Sequence, residues 1–93
     1  MFNELFGPSI FLLVLDLFLE NPDELLNIRE IARRVNKNPG SISRVMPLLL
    51  ERGFVKQIKI GKAVRAYRLN VESELVQVLI EFQRKLKSMN YSP

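Results

Sequence analysis

The sequence predicts an α+β fold: three helices, a β-hairpin and a long last helix in a single domain spanning residues 1–93. Three observations predict it. Helix-start signals stand at Asn27 and at Asn38-Pro39. The hydrophobic period changes from helical to two after Gly53 and back to helical after Asn70. The composition of the 93 residues, 47% hydrophobic and 26% charged, suits one core and is too apolar for a disordered tail.

The first helix is expected from Pro8 to the stop at Asn21-Pro22-Asp23. Nine of the ten residues from Ile10 to Leu19 are apolar, Asp16 being the exception. This run falls short of the roughly 20 residues that span a bilayer, and no Lys or Arg precedes Arg29, as a signal peptide would require. A helix apolar on nearly every face, in so small a chain, is expected to pack on a second copy as well as on its own core.

Asn27 and Glu30 form a capping-box pattern opening a second helix, with Ile28, Ile31, Ala32 and Val35 on its apolar stripe. After Asn36-Lys37, Asn38 caps a third helix with Pro39 at its first position, and Gly53 ends it past Arg52. Its inward positions are Ile42, Val45, Met46, Leu49 and Leu50. Pro47 lies inside it and implies a kink or an altered register. Residues 54–60 and 63–69 alternate around Gly61-Lys62 as a hairpin. Asn70 is expected to cap a helix over about 71–89, with Leu75, Leu79, Phe82, Leu86 and Met89 spaced as a seam of about two heptads. The final residues are expected to fray.

The net charge of +4 is unevenly distributed. Residues 1–28 carry five acids and no base. Residues 29–68 carry eleven bases against Glu30 and Glu51, and residues 69–93 carry three of each sign. Such segregation points to an anionic partner for the middle segment. Cysteine and histidine are absent, which excludes disulfides, thiolate chemistry, His-based catalysis and zinc sites built from Cys or His. No nucleophile–base pairing or phosphate-cradling glycine loop is visible, so the chain is not read as an enzyme, and no cofactor or metal is expected. A reducing, cytoplasmic setting is compatible with this composition.

The order of elements, with Leu17-Phe18-Leu19-Glu20-Asn21-Pro22, Asn27 to Val35, Pro39 to Val45, Leu48 to Val55 and the closing Tyr67-Arg68-Leu69, resembles the winged helix-turn-helix family, especially archaeal and bacterial regulators of the MarR-like and ArsR-like kind. The likeness covers residues 10–69. Asn36 stands where that family usually has Gly in the turn, and Lys37 where it has an apolar residue.

The resemblance implies a recognition helix over about 39–52 that enters the major groove of duplex DNA, with Asn38, Gly40, Ser41, Ser43 and Arg44 facing it. Arg44 is the candidate for bidentate base readout. The hairpin over 54–69 becomes a wing, whose Lys59, Lys62 and Arg65 reach the minor groove or flanking phosphates. Arg29, Arg33 and Lys37 are candidate backbone contacts. A homodimer is expected through Phe11, Leu15 and Phe18 of the first helix and Leu75, Leu79, Phe82 and Leu86 of the last. The expected function is a sequence-specific transcriptional regulator. The alternatives are a non-specific architectural DNA-coating protein and, third, a protein–protein module. The partners are double-stranded DNA and a second copy, with no membrane; a small-molecule effector stays open.

Overall fold

In the computed structural model, which describes residues 1–91, the elements run α1 (Phe2–Phe6), α2 (Ile10–Glu20), α3 (Ile28–Val35), α4 (Pro39–Glu51), β1 (Val55–Ile60), β2 (Val64–Leu69) and α5 (Glu74–Ser88). The expected fraying falls in part on Ser92 and Pro93, outside the described residues. Helices α2, α3 and α4 pack on one another, and the antiparallel β1–β2 hairpin rests on α4 and α2. The core between them holds Val14, Leu15, Phe18, Leu26, Ile31, Ala32, Ile42, Met46 and Leu49. Val55, Tyr67 and Leu69 enter it from the hairpin, and Val76 from α5. Ala32, at 3% exposure, sits where α3 meets the core, and its small side chain permits close approach of the neighbouring helix.

Local chemistry sets the helix ends. Asn27 Oδ1 accepts from the Glu30 N–H at 2.9 Å and Glu30 Oε1 accepts from the Asn27 N–H at 3.0 Å, completing the capping box. Asn36 closes α3 in the left-handed region (φ 56°), where Asn substitutes for the usual Gly. The Lys37 N–H donates to Ala32 O and the Asn36 N–H to Arg33 O, the paired bonds of a Schellman end. Gly53, at φ +77°, ends α4 in the same way, with the Phe54 N–H on Leu49 O and the Gly53 N–H on Leu50 O. Helix α4 continues across Pro47, which lies exposed.

Four expectations are corrected. Pro8 does not start the first long helix: the Gly7–Pro8 bond is cis, Ser9 is the cap, and Ile10 is the first helical residue. The hairpin turn has three residues, 61–63, because Ile60 pairs with Val64. Asn70 does not cap α5. Its side-chain amide donates to Gly53 O at 3.1 Å and its N–H to Phe54 O at 2.9 Å, tying the end of β2 to the end of α4. Ser73 caps α5 instead, accepting from the Val76 N–H. Finally, Leu15 and Phe18 are buried in the chain's own core at 4% and 0% exposure, so neither has surface to offer a second copy.

The short helix α1 was not foreseen, and Asp16 accounts for it. This carboxylate, in the middle of an apolar helix, accepts the Phe2 N–H at 2.8 Å and the Asn3 N–H at 2.9 Å, and lies 3.0 Å from the Met1 amine. It therefore satisfies orphan donors at the start of α1 and allows Phe2 to enter the core. An Asp16→Ala variant is expected to lose about 1–3 kcal/mol of stability. It should also open the Phe2 and Asn3 amides to hydrogen exchange; unchanged exchange there would contradict the assignment.

Candidate nucleic-acid interface

Helix α4 presents its outer side from its N-terminal end. Asn38 Oδ1 accepts from the Gly40 N–H at 2.7 Å, so this side chain is occupied as a cap. Gly40, Ser43, Arg44 and Pro47 are exposed and recur at spacings of three, four and seven, which places them on one face. Ser41 is half-buried. Pro47 has no N–H to offer the Ser43 carbonyl, so that carbonyl is freed on the exposed face.

In the hairpin, Lys59 pairs with Arg65, Gln57 with Tyr67 and Val55 with Leu69. Alternation puts all six on one side of the ribbon. Val55, Tyr67 and Leu69 are buried against the helices. Lys59 and Arg65 therefore extend the helix-facing side beyond the core. Lys62 occupies the exposed turn.

Between the hairpin and α4 lies an open groove of about 720 Å³. One wall is Asn27, Ile28 and Arg29 at the start of α3. The second is Ser43, Met46, Pro47 and Leu50 of α4, and the third is Gln57, Ala63, Val64, Arg65 and Tyr67. The structure thus brings together three of the expected residues, Arg29, Ser43 and Arg65, from three elements. It adds Gln57 and Tyr67, which the sequence reading had not singled out. Their signal was the strand register, which aligns both with Lys59 and Arg65. Lys37 lines a separate cavity of about 250 Å³ with Asn3, Pro8, Ser9, Ile10 and Leu13, and does not join the groove.

Ion pairing divides the basic segment. Arg34 takes Glu24 through both of its terminal nitrogens, one bond at 2.7 Å; the guanidinium holds the Glu24 carboxyl below its ordinary value, and Glu24 raises Arg34 in return. Lys56 lies 3.0 Å from Glu72 and lowers that carboxyl likewise. Arg52 stacks over Phe11 at 5.2 Å from the ring centre. Arg29, Arg33, Lys37, Arg44, Lys59, Lys62 and Arg65 are exposed and carry no ion pair among the described residues. These are the seven cations the sequence reading assigned to an anionic partner.

Of the residues expected between copies, Phe11 packs edge-on against Phe54 of its own chain, 5.9 Å between ring centres. Leu79 and Leu86 are half-buried, and Leu75 and Phe82 are exposed at 49% and 44%. Val78, Met89 and Phe6 are exposed as well. The Phe2 ring stacks on both Phe6 and Phe82, which joins α1 and α5 beneath this apolar row.

Solved structures share this architecture. Reduced HlyU from Vibrio cholerae superposes with a TM-score of 0.63 at 23% identity, covering 80% of this chain and 75% of that one. The homodimeric winged helix-turn-helix DNA-binding domain of a Mycobacterium bovis protein gives 0.63 at 22% identity, covering 85% and 68%. A MarR family protein from Bacillus stearothermophilus gives 0.60 at 21% identity, covering 88% of this chain and 58% of its own length. These likenesses establish the winged helix-turn-helix fold. No curated protein matches the chain in sequence. The model of the IclR helix-turn-helix domain matches residues 9–59, more than half of the chain and the whole stretch from α2 into the first strand of the wing. The likeness first drawn to MarR-like and ArsR-like regulators thus holds for the fold, while by sequence the chain belongs to the IclR helix-turn-helix domain family, a family of DNA-binding domains of transcriptional regulators.

Proposed function

We propose that the chain binds duplex DNA sequence-specifically as a homodimer and regulates transcription. The observation that carries this reading is the set of seven unpaired cations on α3, α4, the turn between them and the wing, in a chain whose acids elsewhere neutralise Arg34 and Lys56. In this reading α4 lies in the major groove with Arg44 on base edges, preferentially guanine O6 and N7. The wing tip at Lys59, Lys62 and Arg65 follows the neighbouring phosphates or minor groove, with Arg29, Arg33 and Lys37 on the backbone. The exposed row of Leu75, Val78 and Phe82 on α5 and Met89 at its C-terminal cap, with Phe6, meets its copy. A two-fold pair places the recognition helices roughly 34–36 Å apart, one turn of DNA.

Selection of bound sequences from random duplex DNA tests both parts. The expected product is a pseudo-palindrome with half-sites one helical turn apart. Arg44→Ala is expected to cost about 1–3 kcal/mol at one position of each half-site and to relax the preference there. An Arg44→Ala variant selecting the same sequences would remove Arg44 from base readout. Enrichment of no sequence, with uniform protection in footprinting, would favour the architectural, coating alternative.

A further inference from the structure

The two like-charged pairs across the wing differ in one respect. Lys56 faces Arg68 and Lys59 faces Arg65, and like charges directly opposite one another destabilise a ribbon. The first pair has a counter-ion, since the Glu72 carboxylate lies 3.0 Å from Lys56 Nζ. The second pair has none among the described residues. It sits on the side of the ribbon that lines the groove, across from the unpaired Arg29.

Tyr67 gives an independent pointer to the same place. Its side chain lines the groove and the residue is 6% exposed, yet its hydroxyl has no hydrogen-bond partner among the described residues. The ring is buried while the hydroxyl keeps contact with solvent in the open groove, so it is free to donate there. Ser43 supplies a second hydroxyl from α4. The remaining lining is Asn27 and Gln57 together with apolar side chains from all three walls, a mixed surface that suits a sugar and its phosphate.

We infer that this groove seats one phosphodiester of the DNA backbone, held by Arg65 of the wing and Arg29 of α3 as charges and by the Tyr67 hydroxyl as a neutral donor. The seat rests on the DNA-binding reading above and adds to it a specific phosphate and Tyr67. The phosphate supplies the carboxylate-like counter-charge that Lys59 and Arg65 lack. It also fixes where the strand passes between the major groove, read by α4, and the wing. Tyr67 positions the backbone and carries no sequence information.

Three chains are compared on one bound duplex: the unsubstituted protein, Tyr67→Phe and Arg65→Gln. Phosphates are replaced singly by neutral methylphosphonate. Tyr67→Phe keeps the ring and is expected to retain the melting temperature while weakening binding about tenfold, with the salt slope unchanged because no charge is lost. Arg65→Gln is expected to reduce the salt slope by about one. One methylphosphonate position in each half-site should weaken the unsubstituted protein but add little to either variant. If the unsubstituted protein binds duplex normally and no position shows this coupling, the seat is wrong while the DNA-binding reading stands. If the unsubstituted protein fails to bind duplex at all, both are wrong. Inorganic phosphate that shifts the Tyr67 ring resonances, with duplex affinity unmoved by Tyr67→Phe, would make the groove a free-anion site and overturn the assignment.

Discussion

Raising monovalent salt from about 50 mM to about 200 mM is expected to lower duplex affinity about a thousandfold or more, the effect of displacing counter-ions from six or more phosphates. The number follows from the ion pairing. Eleven bases lie between Arg29 and Arg68, but Arg34 and Lys56 are held by carboxylates of the chain and Arg52 is laid over Phe11. Of the eight that remain, Arg68 faces Lys56 across the ribbon and the other seven are the exposed cations assigned to DNA, which a homodimer presents twice. The measurement is a binding isotherm at four or five salt concentrations, plotted as logarithms. A slope shallower than about two would mean that these cations do not face phosphates, and the protein–protein alternative would gain.

Phe18→Ala is expected to cost about 3–5 kcal/mol, a large share of the 5–15 kcal/mol that holds a typical domain together. Phe18 is fully enclosed, at 0% exposure, and belongs to the same cluster as Val14, Ile31, Ile42 and Leu49. Its loss therefore leaves a cavity between α2 and its neighbours, without a change at the surface. Denaturant unfolding at two protein concentrations separates this from the role first expected for it. A residue of the chain's own core shifts the midpoint equally at both concentrations, whereas a residue between copies shifts it most at the higher one, where the unsubstituted protein is dimeric. The exposed Leu75 and Phe82 are the positions for which the second pattern is expected.

What was legible in the sequence was the chemistry that acts over three or four residues. Asn27 with Glu30, Asn38 with Pro39, and Gly53 after Arg52 each form their bonds within one helical turn, so the ends of α3 and α4 could be read directly. Partners further apart decided the rest. Asp16 organises α1 from 14 residues away, and no local pattern marks a helix of five residues held by a distant carboxylate. Asn70 looked like a cap because Asn is a good one, but the Gly53 carbonyl, 17 residues earlier, takes its amide and leaves Ser73 to start α5. An apolar α2 is equally consistent with burial by a second copy and by the chain's own elements, and periodicity does not distinguish the two. The candidate site divides in the same way. The cations were visible by count and position, while Tyr67 and Gln57 became part of the site only through the register that aligns them with Arg65.

Tyr67 also joins the hairpin to the helices through its backbone. Its N–H donates to Leu26 O and the Leu26 N–H donates to its carbonyl, each at 2.8 Å, and Leu26 immediately precedes the cap of α3. The wing and the start of α3 are thus riveted together at the bottom of the groove, and the gap between them is a gauge set by the protein. A backbone whose grooves already match that gauge can enter without deformation, and a stiffer or wider stretch must bend to do so. The rivet would make the chain a selector of duplex shape at base pairs that none of its side chains touches.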